Sequence, residues 1–142
     1  MKNLQTEIVI NAPAEKVWGI LTDFEKFAQW NPFIVKLEGK PEVYTRLRAE
    51  LKSGNGVSVF KPNVLVAEKN KAFEWLGSLP IPGLFNGHHF FRIEALGTNL
   101  VKFIYGEEFS GLLAGLIMNH IGEQTRNGFI AMNKALKERA EA

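Results

Sequence analysis

Three side chains capable of acid–base chemistry fall late in the β-rich part of the chain: His89, Tyr105 and Glu107. If the hairpin that carries them closes across Leu96 to Thr98, with Ala95 opposite Asn99, then Ile93 faces Val101, Phe91 faces Phe103, His89 faces Tyr105 and Gly87 faces Glu107. All of these share one side of the sheet. The other side receives His88, Phe90, Arg92 and Glu94 with Lys102, Ile104 and Glu108, a mostly polar set. A poorly solvated site can bring Glu and His toward neutral pKa values, and a carboxylate beside an imidazole and a phenol can orient an enol or a phenol. The same trio can also satisfy its own hydrogen bonds and fix the strands, and on the residues alone that structural reading is preferred.

Other chemistries find less support. The chain has no cysteine, which excludes disulfides, thiolate metal sites and thiol nucleophiles. His88 and His89 are neighbours on a strand and point to opposite faces, so no metal site is expected. Gly54-Asn55-Gly56 lacks the third glycine and the following helix of a dinucleotide fingerprint and reads as a hairpin turn. No serine sits in a Gly-x-Ser-x-Gly elbow. No cofactor is implied. Seventeen Lys plus Arg against fifteen Asp plus Glu give a formal charge of +2, scattered along the chain, a poor footprint for nucleic acid. The opening MKNLQTEIVINAP does not read as the unbroken apolar block of a secretory signal, and no apolar run approaches the roughly 18 residues of a membrane span. A cytoplasmic protein without stable membrane insertion is the expectation.

The elements that must position the trio follow from periodicity. At 142 residues and 46% hydrophobic content, one domain over 1–142 with a single core is expected. Leu4 to Ile10 reads as a strand; Pro13 opens a helix carrying Val17, Trp18, Ile20 and Leu21; Asp23 is placed to cap a second short helix that Pro32 stops. The corner Gln29-Trp30-Asn31-Pro32-Phe33-Ile34 therefore sets two aromatic rings around a proline-stiffened turn. From Phe33 to Phe109 come about six strands, broken at 38–41, 53–56, 68–71 and 97–99. The clearest alternation is Val43, Thr45, Leu47, Ala49 and Leu51 against Tyr44, Arg46, Arg48 and Glu50. Gly111 to Glu138 then shifts to a 3.6-residue period and predicts one long amphipathic helix with the stripe Ile117, Ile121, Thr125, Phe129 and Met132. Gly115, Gly122 and Gly128 inside it suggest a close backbone approach or a bend.

Strand, two short helices, a strand meander and a long last helix form a pattern that resembles the helix-grip fold of the START, Bet v 1 and polyketide cyclase (SRPBCC) superfamily. The resemblance is carried by INAPAEKVWGILTDFEKFAQWNPF, by FEWLGSLPIPGLFNGHHFFRIEALGTNLVKFIYGEEFSGLL with its Pro-Gly-Leu-Phe loop, and by GFIAMNKALKERAEA, the last two resembling one bacterial branch. It implies an α+β fold in which a curved antiparallel sheet of about seven strands grips the C-terminal helix around an apolar cavity. Members use it for lipid or hormone binding, aromatic cyclisation or protein–protein work, and fold alone does not choose among these.

On that fold the expected partner is a small hydrophobic molecule, with no protein partner assigned. Trp30, Phe33, Trp75, Phe91, Phe103, Ile117, Ile121 and Phe129 are expected to line its cavity, with His89, Tyr105 and Glu107 at its polar end. Thr125, the polar group in the helix stripe, can bond a ligand or its own helix carbonyl. Binding without turnover is the base expectation. One alternative is a cyclase or dehydratase with Glu107 or His89 as base and Tyr105 as proton donor; another is an interaction module with a collapsed cavity.

Overall fold

The alternation and its breaks resolve into eight strands and three α-helices among the residues that the computed structural model describes, 2–78 and 83–142. Residues 79–82, which reach only the proline of the Pro-Gly-Leu-Phe loop, lie outside them. The order is β1 (Lys2–Ile10), α1 (Ala14–Thr22), a 3-10 turn (Phe24–Lys26), α2 (Phe27–Trp30), β2 (Ile34–Glu38), β3 (Arg48–Ser53), β4 (Gly56–Phe60), β5 (Asn63–Glu68), β6 (Ala72–Ser78), β7 (Asn86–Gly97), β8 (Leu100–Ser110) and α3 (Ala114–Glu141). The strands form a five-stranded antiparallel sheet, β1-β8-β7-β6-β5, and a three-stranded one, β2-β3-β4. A bridge between Arg46 and Asn63, with Leu47 N–H donating to Pro62 O (2.8 Å) and Val64 N–H to Thr45 O (2.9 Å), joins the two into one curved layer.

The strand count exceeds the sequence reading by one. The extra break falls at Lys61-Pro62, between β4 and β5, where the proline has no N–H to give a ladder and the chain passes from one sheet to the other. The strand expected to start at Val43 begins only at Arg48, because Val43 and Tyr44 form a turn with Tyr44 at φ 69°. Asp23 makes no side-chain cap; its carboxylate lies 3.7 Å from Lys26 Nζ instead. At the Trp30–Phe33 corner, Asn31 Oδ1 accepts from the N–H groups of Phe33 (3.0 Å) and Ile34 (2.9 Å), fixing the turn that launches β2.

The β7–β8 register differs from the expected one by two residues: Ala95 pairs with Val101, Phe91 with Tyr105 and His89 with Glu107. The chain turns later than expected, through Thr98-Asn99 with an irregularity between Ala95 and Gly97. Because the slip is even, every side chain keeps its expected face.

Helix α3 lies across the concave side and behaves as two halves. In the C-terminal half Phe129, Met132, Asn133, Leu136 and Ala140 are buried at helical spacing. Asn133 Nδ2 donates to Thr6 Oγ1 (2.8 Å), and that hydroxyl donates to Tyr105 O (2.9 Å), tying helix to sheet. In the N-terminal half burial is incomplete, and Ile121 is 41% exposed. None of the described helices is long and apolar enough to cross a membrane.

Of the three helix glycines, Gly128 makes the close approach: a Cβ there would overlap the Phe33 ring, which is itself buried against Phe129. At Gly122 the nearest neighbour of such a Cβ is the flexible Met118 methyl at 3.4 Å. Gly122→Ala is therefore expected to raise stability by about 0.5–1 kcal/mol through helix propensity. Gly128→Ala should lower it by about 1–3 kcal/mol despite the same propensity gain. Chemical denaturation of the two variants checks the opposite signs; equal stabilisation would mean that Phe33 yields freely.

Candidate functional site

Where the N-terminal half of α3 stands off the sheet, a cavity of about 260 Å³ opens. Five of the strands contribute residues near that end: Trp75 and Gly77 from β6, Gly87 and His89 from β7, Glu107 and Phe109 from β8, Ala49 and Leu51 from β3, Ser58 and Phe60 from β4. Phe33 comes from the corner before β2, Phe85 from the approach to β7, and Ile117, Ile121, Gln124 and Thr125 from α3. The floor is buried and mostly aromatic or aliphatic. Lys52, Ser53, Phe60, Ile121 and Gln124, all exposed, mark the rim.

The polar end of the floor is a pair. His89 and Glu107 stand directly opposite each other across β7 and β8, and His89 Nε2 lies 2.9 Å from Glu107 Oε2. Gly87 makes room for the carboxylate: a Cβ at that position would overlap Glu107 Oε2. The imidazole rests against the Trp75 ring, with centroids 5.3 Å apart, and its Nδ1 is enclosed without a hydrogen-bond partner. An acceptor-rich carboxylate held beside an imidazole in a mainly apolar chamber can orient a ligand's donor or shuttle a proton. Among the described residues no cluster of three His, Cys, Asp or Glu could hold a metal ion.

Phe33, Trp75, His89, Glu107, Ile117, Ile121 and Thr125 meet on the cavity wall. Phe91, Phe103, Tyr105 and Phe129 do not: they form the packed layer behind it, although their expected inward face is the one they occupy. Tyr105 is stacked on Phe129 (centroids 3.9 Å, 17°) and touches Phe91 (4.4 Å). Trp30 is half-buried, edge-on to Phe27 at 5.3 Å, and also off the wall. A boundary thus crosses the structure between Tyr105 and Glu107 on β8, between Phe91 and His89 on β7 and between Phe129 and Thr125 on α3. One side is solid and the other hollow. Face alternation carries no information about where along a strand that boundary falls. Sequence reasoning missed Leu51, Phe60, Phe85, Phe109, Gln124 and the small residues Ala49, Gly77 and Gly87. The alternation through Ala49 and Leu51 marked their buried face, but nothing local told that face from ordinary core.

Comparison with known proteins is consistent with this architecture. A family model described as "Polyketide cyclase / dehydrase and lipid transport" matches residues 1–141. No curated protein sequence matches the chain. Among solved structures, the Zhui aromatase/cyclase from Streptomyces sp. R1128 is similar with a TM-score of 0.80 at 15% identity, over 99% of this chain and 93% of that one. A START superfamily protein from Mycobacterium smegmatis gives 0.74 at 22% identity, over 98% and 97%. Norcoclaurine synthase from Thalictrum flavum, in complex with dopamine and hydroxybenzaldehyde, gives 0.72 at 14%, over 96% and 84%. At these identities the likeness is one of fold.

The Tyr105 hydroxyl is enclosed and has no hydrogen-bond partner. Burial holds its pKa well above the ordinary range, and the Glu107 charge adds to that shift. A folded-state pKa above the unfolded value contributes stability that is full below about pH 10 and is lost as pH rises toward the folded-state value. Tyr105→Phe removes both the unpaired hydroxyl and this linkage. The variant is expected to match or exceed the wild type by up to about 1 kcal/mol near neutral pH. It should also lose less stability than the wild type above about pH 10. Denaturation midpoints against pH test this, and a large neutral-pH loss in the variant would show that the hydroxyl has a partner.

Proposed function

The chain belongs to the polyketide cyclase / dehydrase and lipid transport family, and from that premise we propose that it binds a small, largely apolar molecule in the cavity beneath the N-terminal half of α3. One observation carries the reading: a chamber of about 260 Å³ with mainly aromatic and aliphatic walls and two adjoining polar groups, His89 and Glu107, at its floor. Binding sites for small molecules have this composition, an apolar enclosure with few convergent polar groups. The unfilled space argues against an interaction module with a collapsed cavity. It also suits carriage or sequestration, because the rim residues Phe60 and Ile121 are exposed and leave a way in.

A second reading, turnover of the cyclase or dehydratase kind, is favoured by one contact, the 2.9 Å approach of His89 Nε2 to Glu107 Oε2 on the cavity wall. Tyr105 fits it poorly as proton donor, since its hydroxyl is enclosed behind the wall and its proton is held tightly. In this reading Glu107 is the base and the donor is water.

Native mass spectrometry of the protein purified from its own host separates the cases. The wild type is expected to carry a small bound species. Ile121→Trp, which enlarges a half-exposed rim residue at little cost to the fold, should lose it while melting within a few degrees of the wild type. For the second reading, the recovered species is incubated with wild type and with Glu107→Gln. Conversion by the wild type alone would establish turnover, and unchanged recovery from both supports binding. Absence of any bound species, together with no detectable binding of naphthalene, would overturn the cavity reading.

A further inference from the structure

Resting on that cavity reading, we infer that the buried end of the ligand is a neutral hydroxyl donor on an aromatic framework, and that the floor excludes carboxylates. The floor offers an acceptor and little else. Among the described residues no hydrogen bond reaches either oxygen of Glu107; its close polar neighbour is His89 Nε2 at 2.9 Å. Neither Glu107 oxygen belongs to the enclosed, unpartnered atoms, and the residue lies on the cavity wall, so the carboxylate faces the space a ligand would fill.

The imidazole cannot offset this for an anion. Its Nδ1 is enclosed and its Nε2 lies 2.9 Å from Glu107 Oε2, so a ligand anion that reached that nitrogen would sit directly beside the carboxylate. Among the described lining residues Lys52 is the one cation, and it stands exposed at the rim. A ligand carboxylate pushed to the floor would face Glu107 across an apolar, weakly screening space. A hydroxyl there donates a charge-assisted hydrogen bond to the carboxylate, the stronger kind.

Shape narrows the framework. Phe33, Trp75, Phe85 and Phe109 offer flat faces, and at about 260 Å³ the chamber lies just below the range that holds drug-sized ligands, which suits one or two fused rings. Gly87 is part of the same selection, since any side chain there would displace the Glu107 carboxylate from its place.

The test uses three probes of one framework, naphthalene, 2-naphthol and 2-naphthoate, titrated by calorimetry or ligand-observed NMR at about pH 8, where the acid is ionised and the alcohol is not. The wild type is expected to bind 2-naphthol about tenfold or more tightly than naphthalene, and 2-naphthoate more weakly than either. Glu107→Gln should narrow the naphthoate deficit about tenfold or more relative to naphthol, because the charge leaves while an acceptor oxygen stays. Naphthoate binding as tight as naphthol would overturn the inference, and a loss of that binding in Lys52→Gln would place the anion at the rim. Binding of naphthalene and naphthol with equal strength overturns the inference but leaves the cavity reading standing. Failure of all three probes overturns both.

Discussion

A long helix laid on a curved, twisted sheet does not touch it evenly along its whole length, and in this protein the contact of the C-terminal half begins at the stacked rings of Tyr105 and Phe129, 3.9 Å apart. The Asn133–Thr6–Tyr105 hydrogen-bond chain holds the same end. Phe33, seated over the bare backbone of Gly128, closes the aromatic layer from the side. From there α3 and the sheet diverge, and the gap that results is the cavity. Its existence therefore depends on a packing contact that no ligand touches.

Two carboxylates on opposite faces of β6 and β8, the strands that flank β7, show how differently the fold treats similar groups. Glu74, on the outer face, is buried and fully met: His88 Nε2 lies 2.8 Å from one oxygen and Arg92 Nε donates to the other at 3.1 Å, with Arg92 itself over the Phe90 ring. Such a network stiffens the sheet and leaves nothing to offer a ligand. Glu107, equally buried, has a single close polar neighbour among the described residues. Unmet polar capacity in a folded interior is a cost, and part of it lies at the cavity and the layer behind it, in His89 Nδ1 and the Tyr105 hydroxyl.

Much of this architecture was legible in the residues. The order of elements, the long amphipathic helix and the inward face of His89, Tyr105 and Glu107 all follow from period and turn chemistry, and the face survived a register slip because the slip was even. What stayed hidden is depth along the strands. Tyr105 and Glu107 have the same parity and lie two residues apart, yet one is stacked in a solid layer and the other borders a void. The difference is made by Phe129 on a helix docked from far away in sequence, which no local pattern records. The break at Lys61-Pro62-Asn63 likewise went unread, because there the chain passes from one sheet to the other instead of turning back in a hairpin.

The most direct test of the account is a crystal structure of the protein soaked with 2-naphthol. The account expects the naphthol rings bounded by Trp75, Phe109 and Ile117, the hydroxyl within hydrogen-bonding distance of Glu107, and the Tyr105–Phe129 stack unmoved. A structure in which the N-terminal half of α3 has closed onto Trp75, leaving no space and no ligand, would contradict it.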